Sequence, residues 1–365
     1  MVEKLKAPAG QPVPAAPQPF SFEIIQKLAP HSYLYGHLNP TPPSKPIRPN
    51  GRQLLEHRKP LIHVGSLNHT NGSAIVRQGG TAALCGIRAE ILNVDDIPNW
   101  RPDRYQRQSK QADRNDGNVI EELGLLVPNV ELRTGCTWDN LPDRPMSDAA
   151  QTLSSKLMTS LLATGVIDLE KLVIRSKQEE PDLPGDDEDP IKAFWTLYID
   201  VLLISLDGNP FDAVWTACMA ALRNTTVPRA EWEEEYQMVM CDENIAAAVS
   251  LYSGIPPMHS TYVVFKSNMR NTDIVNKEGK LARRTGDGQE YWVLADPDST
   301  EAELCNDQVS VLQGPKMNKK SHQLFHVEKV GGVTISMVEL KEIIQHAEGR
   351  WSEWTELFEG LAKPG

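Results

Sequence analysis

Asp207 and Asp212 stand at either end of the turn in LDGNPFDA. Two carboxylates gathered at such a turn could hold a divalent cation such as Mg2+, or divide an acid and a base between them. The same residues have a structural reading. Asp suits the first position of a turn, and a carboxylate in the first turn of a helix is favoured by the macrodipole. Residue type alone leaves both open. A second chemical candidate is RPDRYQRQSKQADR, where Arg101, Arg104, Arg107, Lys110 and Arg114 outnumber Asp103 and Asp113 beside Trp100 and Tyr105. Arginines next to aromatic rings grip phosphates and stack on unpaired bases, so this segment is the candidate RNA-binding site, with a solvated loop as the alternative. His322 and His326 lie four apart in a strand-like segment, where that spacing sets them about 13 Å apart on one face, so zinc is not expected. No GxxxxGK[ST], GxGxxG, HExxH or GxSxG pattern occurs, so no catalytic nucleophile, resident metal or cofactor is expected.

Elements must position these residues, and composition bounds what those elements are. The 365 residues carry 37 Lys and Arg against 49 Asp and Glu, a formal charge of -12, which argues against nucleic-acid binding over the whole surface but not at one local island. The length predicts two domains or one duplicated one. The longest aliphatic run, Val201 to Ile204, is far short of the roughly 18 apolar residues of a membrane span, and no apolar signal segment is visible near the start. Five scattered cysteines, never in a CxxC pair, fit a reducing compartment such as cytosol or nucleus.

Twelve of the 27 prolines fall in the first 60 residues, so 1–19 is expected to be a disordered tail. FSFEIIQKLAP predicts a short helix docked on the body and stopped by Pro30. Residues 61–94 predict three strands in an antiparallel meander, broken by Gly-bearing turns, and VPNVELRTG another strand. A helix opens at Ser147 on the row Leu153, Leu157 and Leu161. The strand, turn and helix of 197–222 are apolar on nearly every side and belong in a core. A polar stretch and a short helix ending at Gly254 then lead to a second strand group, with Gly331-Gly332 as a hairpin turn. One long helix from Met337 to Leu361 closes the chain. Strands followed by helix, twice over, predict an internal duplication.

IRPNGRQLLEHR (47–58) resembles the opening signature of the RNase PH family, RPDGR followed by an acidic-x-Arg. NGSAIVRQGGTAALCGIRAEI (71–91), LDGNPFDAVWTACMAAL (206–222), TTVP (225–228) and WVLADPDSTEAEL (292–304) resemble its later signatures in order, so the likeness spans roughly residues 20–340. The resemblance implies an α/β (α+β) RNase PH-like fold: two pseudo-repeated mixed-sheet halves, ribosomal protein S5 domain 2-like, with packed helices. It divides the chain into a first half over 20–228 with insertions at 96–118 and 177–190, a connector over 229–257, a second half over 258–338 and a C-terminal helix over 339–365. It also implies a hetero-oligomeric ring with other RNase PH-like exosome subunits and S1/KH-type cap subunits, single-stranded RNA threaded through the pore, no membrane, and a place in nucleus, nucleolus and cytoplasm. Active members grip phosphate with an Arg followed by Ser or Thr; aligned on WTLYIDV, those positions are Thr196 and Leu197. A neutral Thr cannot replace a bidentate guanidinium on a dianion. The resemblance therefore implies a non-catalytic subunit, with Asp207 and Asp212 left as the acid or metal ligands of a rival phosphorolytic reading.

Overall fold

The computed structural model describes residues 21–40, 44–98, 100, 116–137, 140, 148–176, 190–267, 283–284, 290–316, 319–332 and 334–361. The tail, nearly all of the acidic insertion and the whole basic segment from Arg101 to Arg114 lie outside them. The chain divides into two compact units, up to Arg52 and from Gln53 onward.

In the first unit, α1 (Phe22–Leu28) and α2 (Pro30–Leu38) follow one another. Pro30 ends the first helix but also opens the second at its first position, where its missing N–H and fixed φ cost nothing. α1 buries none of its residues, whereas α2 buries Leu34 and Leu38. The IRPNGR turn closes on Gly51, at φ 83°, with the Arg52 amide donating to Asn50 Oδ1 at 3.0 Å. An Asp oxygen would accept that bond equally, which accounts for Asn50 standing where the RNase PH signature has Asp.

In the second unit the meander is β1 (Pro60–Val64), β2 (Gly72–Gln78) and β3 (Thr81–Asn93). After α3 (Asp116–Glu122) come β4 (Leu126–Leu132), α4 (Asp148–Thr164), β5 (Val173–Arg175) and β6 (Ile191–Ser205). They form a six-stranded mixed sheet in the order β1-β2-β3-β6-β4, with β5 also on β6 and β4 parallel to β6. α5 (Pro210–Asn224) is buried from Phe211 to Leu222; it packs on β1, β2 and β3 and reaches the second sheet. The apolar reading of 197–222 is thus the molecule's central helix and strand.

Beyond β7 (Thr226–Val227) the polar stretch forms β8 (Ala230–Glu233) and β9 (Met238–Cys241), an antiparallel hairpin turned at Gln237 with φ 49°, and in place of the short helix expected to end at Gly254 the chain makes a short 3-10 turn at Ile245–Ala247 and then β10 (Val249–Ser250) on β7. Trp232 and Val239 pair across that hairpin, and such cross-strand pairs outweigh the helical propensity of the Glu-rich sequence. The second sheet is fully antiparallel: β11 (Met258–Lys266), β12 (Arg283–Arg284), β13 (Glu290–Ala295), β14 (Asp307–Lys316) and β15 (Lys319–Val330), ordered β12-β13-β11-β14-β15, with α6 (Ser299–Leu304) between β13 and β14.

Gly331 does not turn a hairpin. It sits at φ 105°, where an added Cβ would lie 2.3 Å from Asp307 Oδ1, and the chain passes from β15 into a capping box at Ser336 and Glu339. The closing helix is two helices, α7 (Met337–Gly349) and α8 (Trp351–Glu359), meeting at Arg350. α7 covers the second sheet with Ile343 and Ala347, whereas α8 sends Trp354 and Phe358 into the first core. One straight helix cannot face both. Trp215, on α5, is fully buried and donates from Nε1 to Pro257 O at 2.8 Å. Trp215→Ala is expected to cost about 3–5 kcal/mol, read as a lower midpoint in urea unfolding at unchanged slope.

Candidate functional site

The turn from β6 into α5 is shaped by Gly208 at φ 70° and Asn209 at φ 46°. A Cβ on Gly208 would lie 2.4 Å from the Asp298 carbonyl carbon, so only glycine lets the turn approach the loop after β13 this closely. Thr81, the first residue of β3, fastens the turn from the other side. Its hydroxyl donates to Gly208 O and accepts from the Asp207 amide, both at 3.0 Å.

Into this junction comes Arg58, the arginine of the acidic-x-Arg signature. Its Nε and Nη2 fork onto Asp296 Oδ2 and Oδ1, both at 2.8 Å, and its own amide also donates to Oδ2. Nη1 donates to Asp207 O at 2.7 Å and Nη2 to Pro297 O at 3.2 Å. Asn209 Nδ2 bridges Asp296 Oδ1 and Asp212 Oδ2, each at 2.7 Å. Asp212 Oδ1 meets His259 Nδ1 at 2.5 Å and the Thr261 hydroxyl at 2.8 Å, and Oδ2 accepts from the Thr261 amide. Residues from the segment before β1, from the β6–α5 turn, from β11 and from the loop after β13 therefore share one polar network.

Burial would raise the Asp296 and Asp212 carboxyls. It is outweighed by Arg58 and Asn209 at the first, and by His259 and Asn209 at the second, and both carboxyls are held below the ordinary range. Burial also pushes His259 down, only partly countered by Asp212, so at neutral pH Asp212 is the anion and His259 a neutral donor. The acid/base or metal pair proposed for Asp207 and Asp212 is not assembled. Both oxygens of buried Asp212 are already occupied, and Asp207 turns to Ser299 and Arg58 instead. What the arrangement can do is join two sheets.

Thr196 lies inside β6, opposite Glu90, with its hydroxyl buried and unpaired; Leu197 is fully buried beside it. Trp100, from which the basic segment departs, packs edge-on against Phe194 at 5.3 Å. His326 is in β15, opposite Leu312, and among the described residues no group of three or more His, Cys, Asp or Glu is placed to hold a metal. Sequence reasoning quoted the segments bearing Arg58 and Asp296 but assigned neither a role. It missed His57 and His259 altogether. His57 has both ring nitrogens buried without partners; it stacks on His346 at 5.7 Å and meets Tyr262 edge-on.

Asp296→Asn leaves the Arg58 guanidinium buried without its counter-ion and is expected to cost about 3–5 kcal/mol, whereas Arg58→Met combined with Asp296→Leu recovers most of that loss in a double-mutant cycle by chemical unfolding. Burial, with Arg350 adding to it, pushes His57 well below its ordinary value, and burial does the same to His259 and His346. An unfolded chain then takes up these protons first, so stability is complete above about pH 6.5 and falls as pH drops below it. The carboxylates act in a separate window, lost only below about pH 4. Melting temperature is expected to decline between pH 7 and 5, with a shallower slope in His57→Phe.

Residues 56–228 match the RNase PH family described as 3′ exoribonuclease family, domain 1. Over 333 residues the chain is 27% identical to the exosome complex component rrp43 of Schizosaccharomyces pombe, covering 91% of this chain and 96% of that protein. The exosome complex component Rrp42 of Thermococcus gammatolerans is 29% identical over 63% of this chain and 68% of its own length. That of Saccharolobus solfataricus is 30% identical over 51% of this chain and 54% of its own length. Among solved structures, a chain of the Archaeoglobus fulgidus exosome with RNA bound to the active site matches at a TM-score of 0.56 and 19% identity, covering 92% of this chain and 99% of that one, which is a likeness of fold. Residues 56–228 are thus the part of the chain that matches the 3′ exoribonuclease family, domain 1, and the chain as a whole has an RNase PH-like fold.

Proposed function

We propose that this chain is a non-catalytic ring subunit of an exosome core, most like the ribosomal RNA-processing protein 43 type, which supports 3′-to-5′ RNA processing and decay by holding the ring together and guiding single-stranded RNA. The observation that carries the reading is the environment of Thr196. Where active family members are expected to grip phosphate, this chain has a buried, uncharged hydroxyl in β6 with the Glu90 carboxylate directly across the strand pair. Cross-strand neighbours stand about 5 Å apart, so an incoming phosphate would meet a carboxylate there, and the nearby Arg88 guanidinium is drawn to Glu90 at 3.9 Å and lies over the Tyr198 ring. The occupied oxygens of Asp212 also leave the rival phosphorolytic reading without its second carboxylate.

Partners under this reading are other RNase PH-like ring subunits and S1/KH-type caps, with function in nucleus, nucleolus and cytoplasm. Similarity to exosome components over most of the chain supports the ring. RNA contact is assigned to Arg101, Arg104, Arg107, Lys110 and Arg114, on the strength of their local charge and their departure from the Trp100 anchor.

Assembled with its co-expressed partners, the ring is expected to show no phosphate-dependent RNA degradation that Asp207→Asn removes; activity dependent on Asp207 would overturn the non-catalytic reading. Arg101→Glu, Arg104→Glu and Arg107→Glu together are expected to lower photocrosslinking of a threaded RNA about tenfold and to flatten its salt dependence. An unchanged yield would return this segment to an ordinary solvated loop.

A further inference from the structure

The β8–β9 hairpin has two unlike faces. On one, Trp232 and Val239 pair, Val239 and Ala230 pack on the first core, and Lys192 covers the Trp232 ring at 5.5 Å. Ser176 bridges to Trp232 through the backbone and donates from its hydroxyl to Glu234 at 3.1 Å, so the hairpin is fixed to the body rather than loose. Strand alternation sends the other residues outward: Met240 pairs with Glu231 and Met238 with Glu233. Tyr236 stands at the turn between them. Tyr236, Met238 and Met240 are 64%, 51% and 50% exposed, and Glu235, Asp242 and Glu243 surround them.

We propose that this face is a docking platform for a protein surface whose aliphatic side chains alternate with Lys or Arg. The geometry selects that occupant. Exposed methionines and a tyrosine on a fixed ribbon supply adaptable apolar contact, which costs little to order. Glu231 is already paired with Arg229 at 3.0 Å, but Glu233 beside Met238 and Glu235 at the turn require compensating cations from the partner, because burying them against a neutral surface would strand their charge. The same glutamates repel RNA, and they repel a second copy of the same face. The partner is another protein subunit of the assembly proposed above. That identity rests on the ring reading; the chemistry of the platform does not.

The first test uses the full chain and two labelled peptides, one alternating Lys with Leu and the other Lys with Ser. Wild type is expected to bind the Lys-Leu peptide about tenfold tighter than the Lys-Ser peptide, a preference of the size that burying two methionines supplies. Met238→Ser with Met240→Ser should abolish that preference at an unchanged melting temperature, and Glu233→Gln with Glu235→Gln should weaken both peptides and their salt dependence. Equal binding by wild type, or a preference that survives the methionine changes, overturns the proposal. The second test places a photocrosslinker at Tyr236 in the co-expressed assembly. Crosslinks to a basic, aliphatic segment of another subunit support the platform; crosslinks to RNA, to a second copy or to nothing sink it while leaving ring membership standing. Should the peptide preference hold in a chain that never co-purifies with other subunits, the ring reading falls and the platform remains.

Discussion

The forked ion pair of Arg58 and Asp296 is the contact on which the joint between the two sheets depends. Asp296 is wholly excluded from water, and a carboxylate so placed stays charged only because a guanidinium meets both its oxygens. Arg58 precedes the first strand of one sheet, and Asp296 follows a strand of the other. Sliding the sheets apart would therefore expose two buried charges at once. That requirement explains why the local backbone accepts unfavourable conformations. Asn209 and Asp296 both adopt left-handed φ values without being glycine, and each is held there by the network it serves.

A carboxylate can coordinate, accept a proton or organise a fold, but its lone pairs are finite. At Asp212 they go to His259, Thr261 and Asn209, so a residue of the right type at the right turn has become part of the scaffold. Asp207, whose side chain is 42% exposed, is tied to Ser299 and Arg58 and closes the edge of the same junction. The net charge of -12 is likewise a surface property with local structure. It is concentrated in the acidic insertion and around the β8–β9 hairpin, and the basic segment after Trp100 runs the other way.

How much of this was legible depended on whether the deciding contact was near in sequence. β1, β2 and β3 could be read because alternation and turn residues lie within each strand, and β6 with α5 because apolar side chains cover every side of both. The junction was half legible. LDGNPFDA marks a turn from its residues alone, but Arg58 and Asp296 are 238 positions apart, and nothing in single-sequence periodicity pairs them. The break at Arg350 was hidden for a similar reason. The three-four spacing runs through it unbroken, while the two halves face different cores. The β8–β9 hairpin was read only as a polar stretch because its Glu-rich sequence shows no alternation, and the Trp232–Val239 pair with its support from Lys192 and Ser176 is what makes the ribbon.

The setting of Thr196 bears on whether a phosphate grip could be created there by a single change. An arginine at that position would start from a buried site in β6, beside Phe194 under the Trp100 ring, and its nearest strand neighbour would be Glu90. That carboxylate is already shared with Arg88 at 3.9 Å, and an added guanidinium would join this fixed ion pair rather than wait for a phosphate, since pairing with a fixed neighbour avoids the entropy of capturing a free ligand. The next position offers no help, because Leu197 is fully buried in the core and a hydroxyl there would lose its apolar contacts without reaching solvent. The strand is therefore specialised over several residues, Glu90 and Leu197 as much as Thr196. Thr196 is held in its present state by neighbours that would each have to change with it.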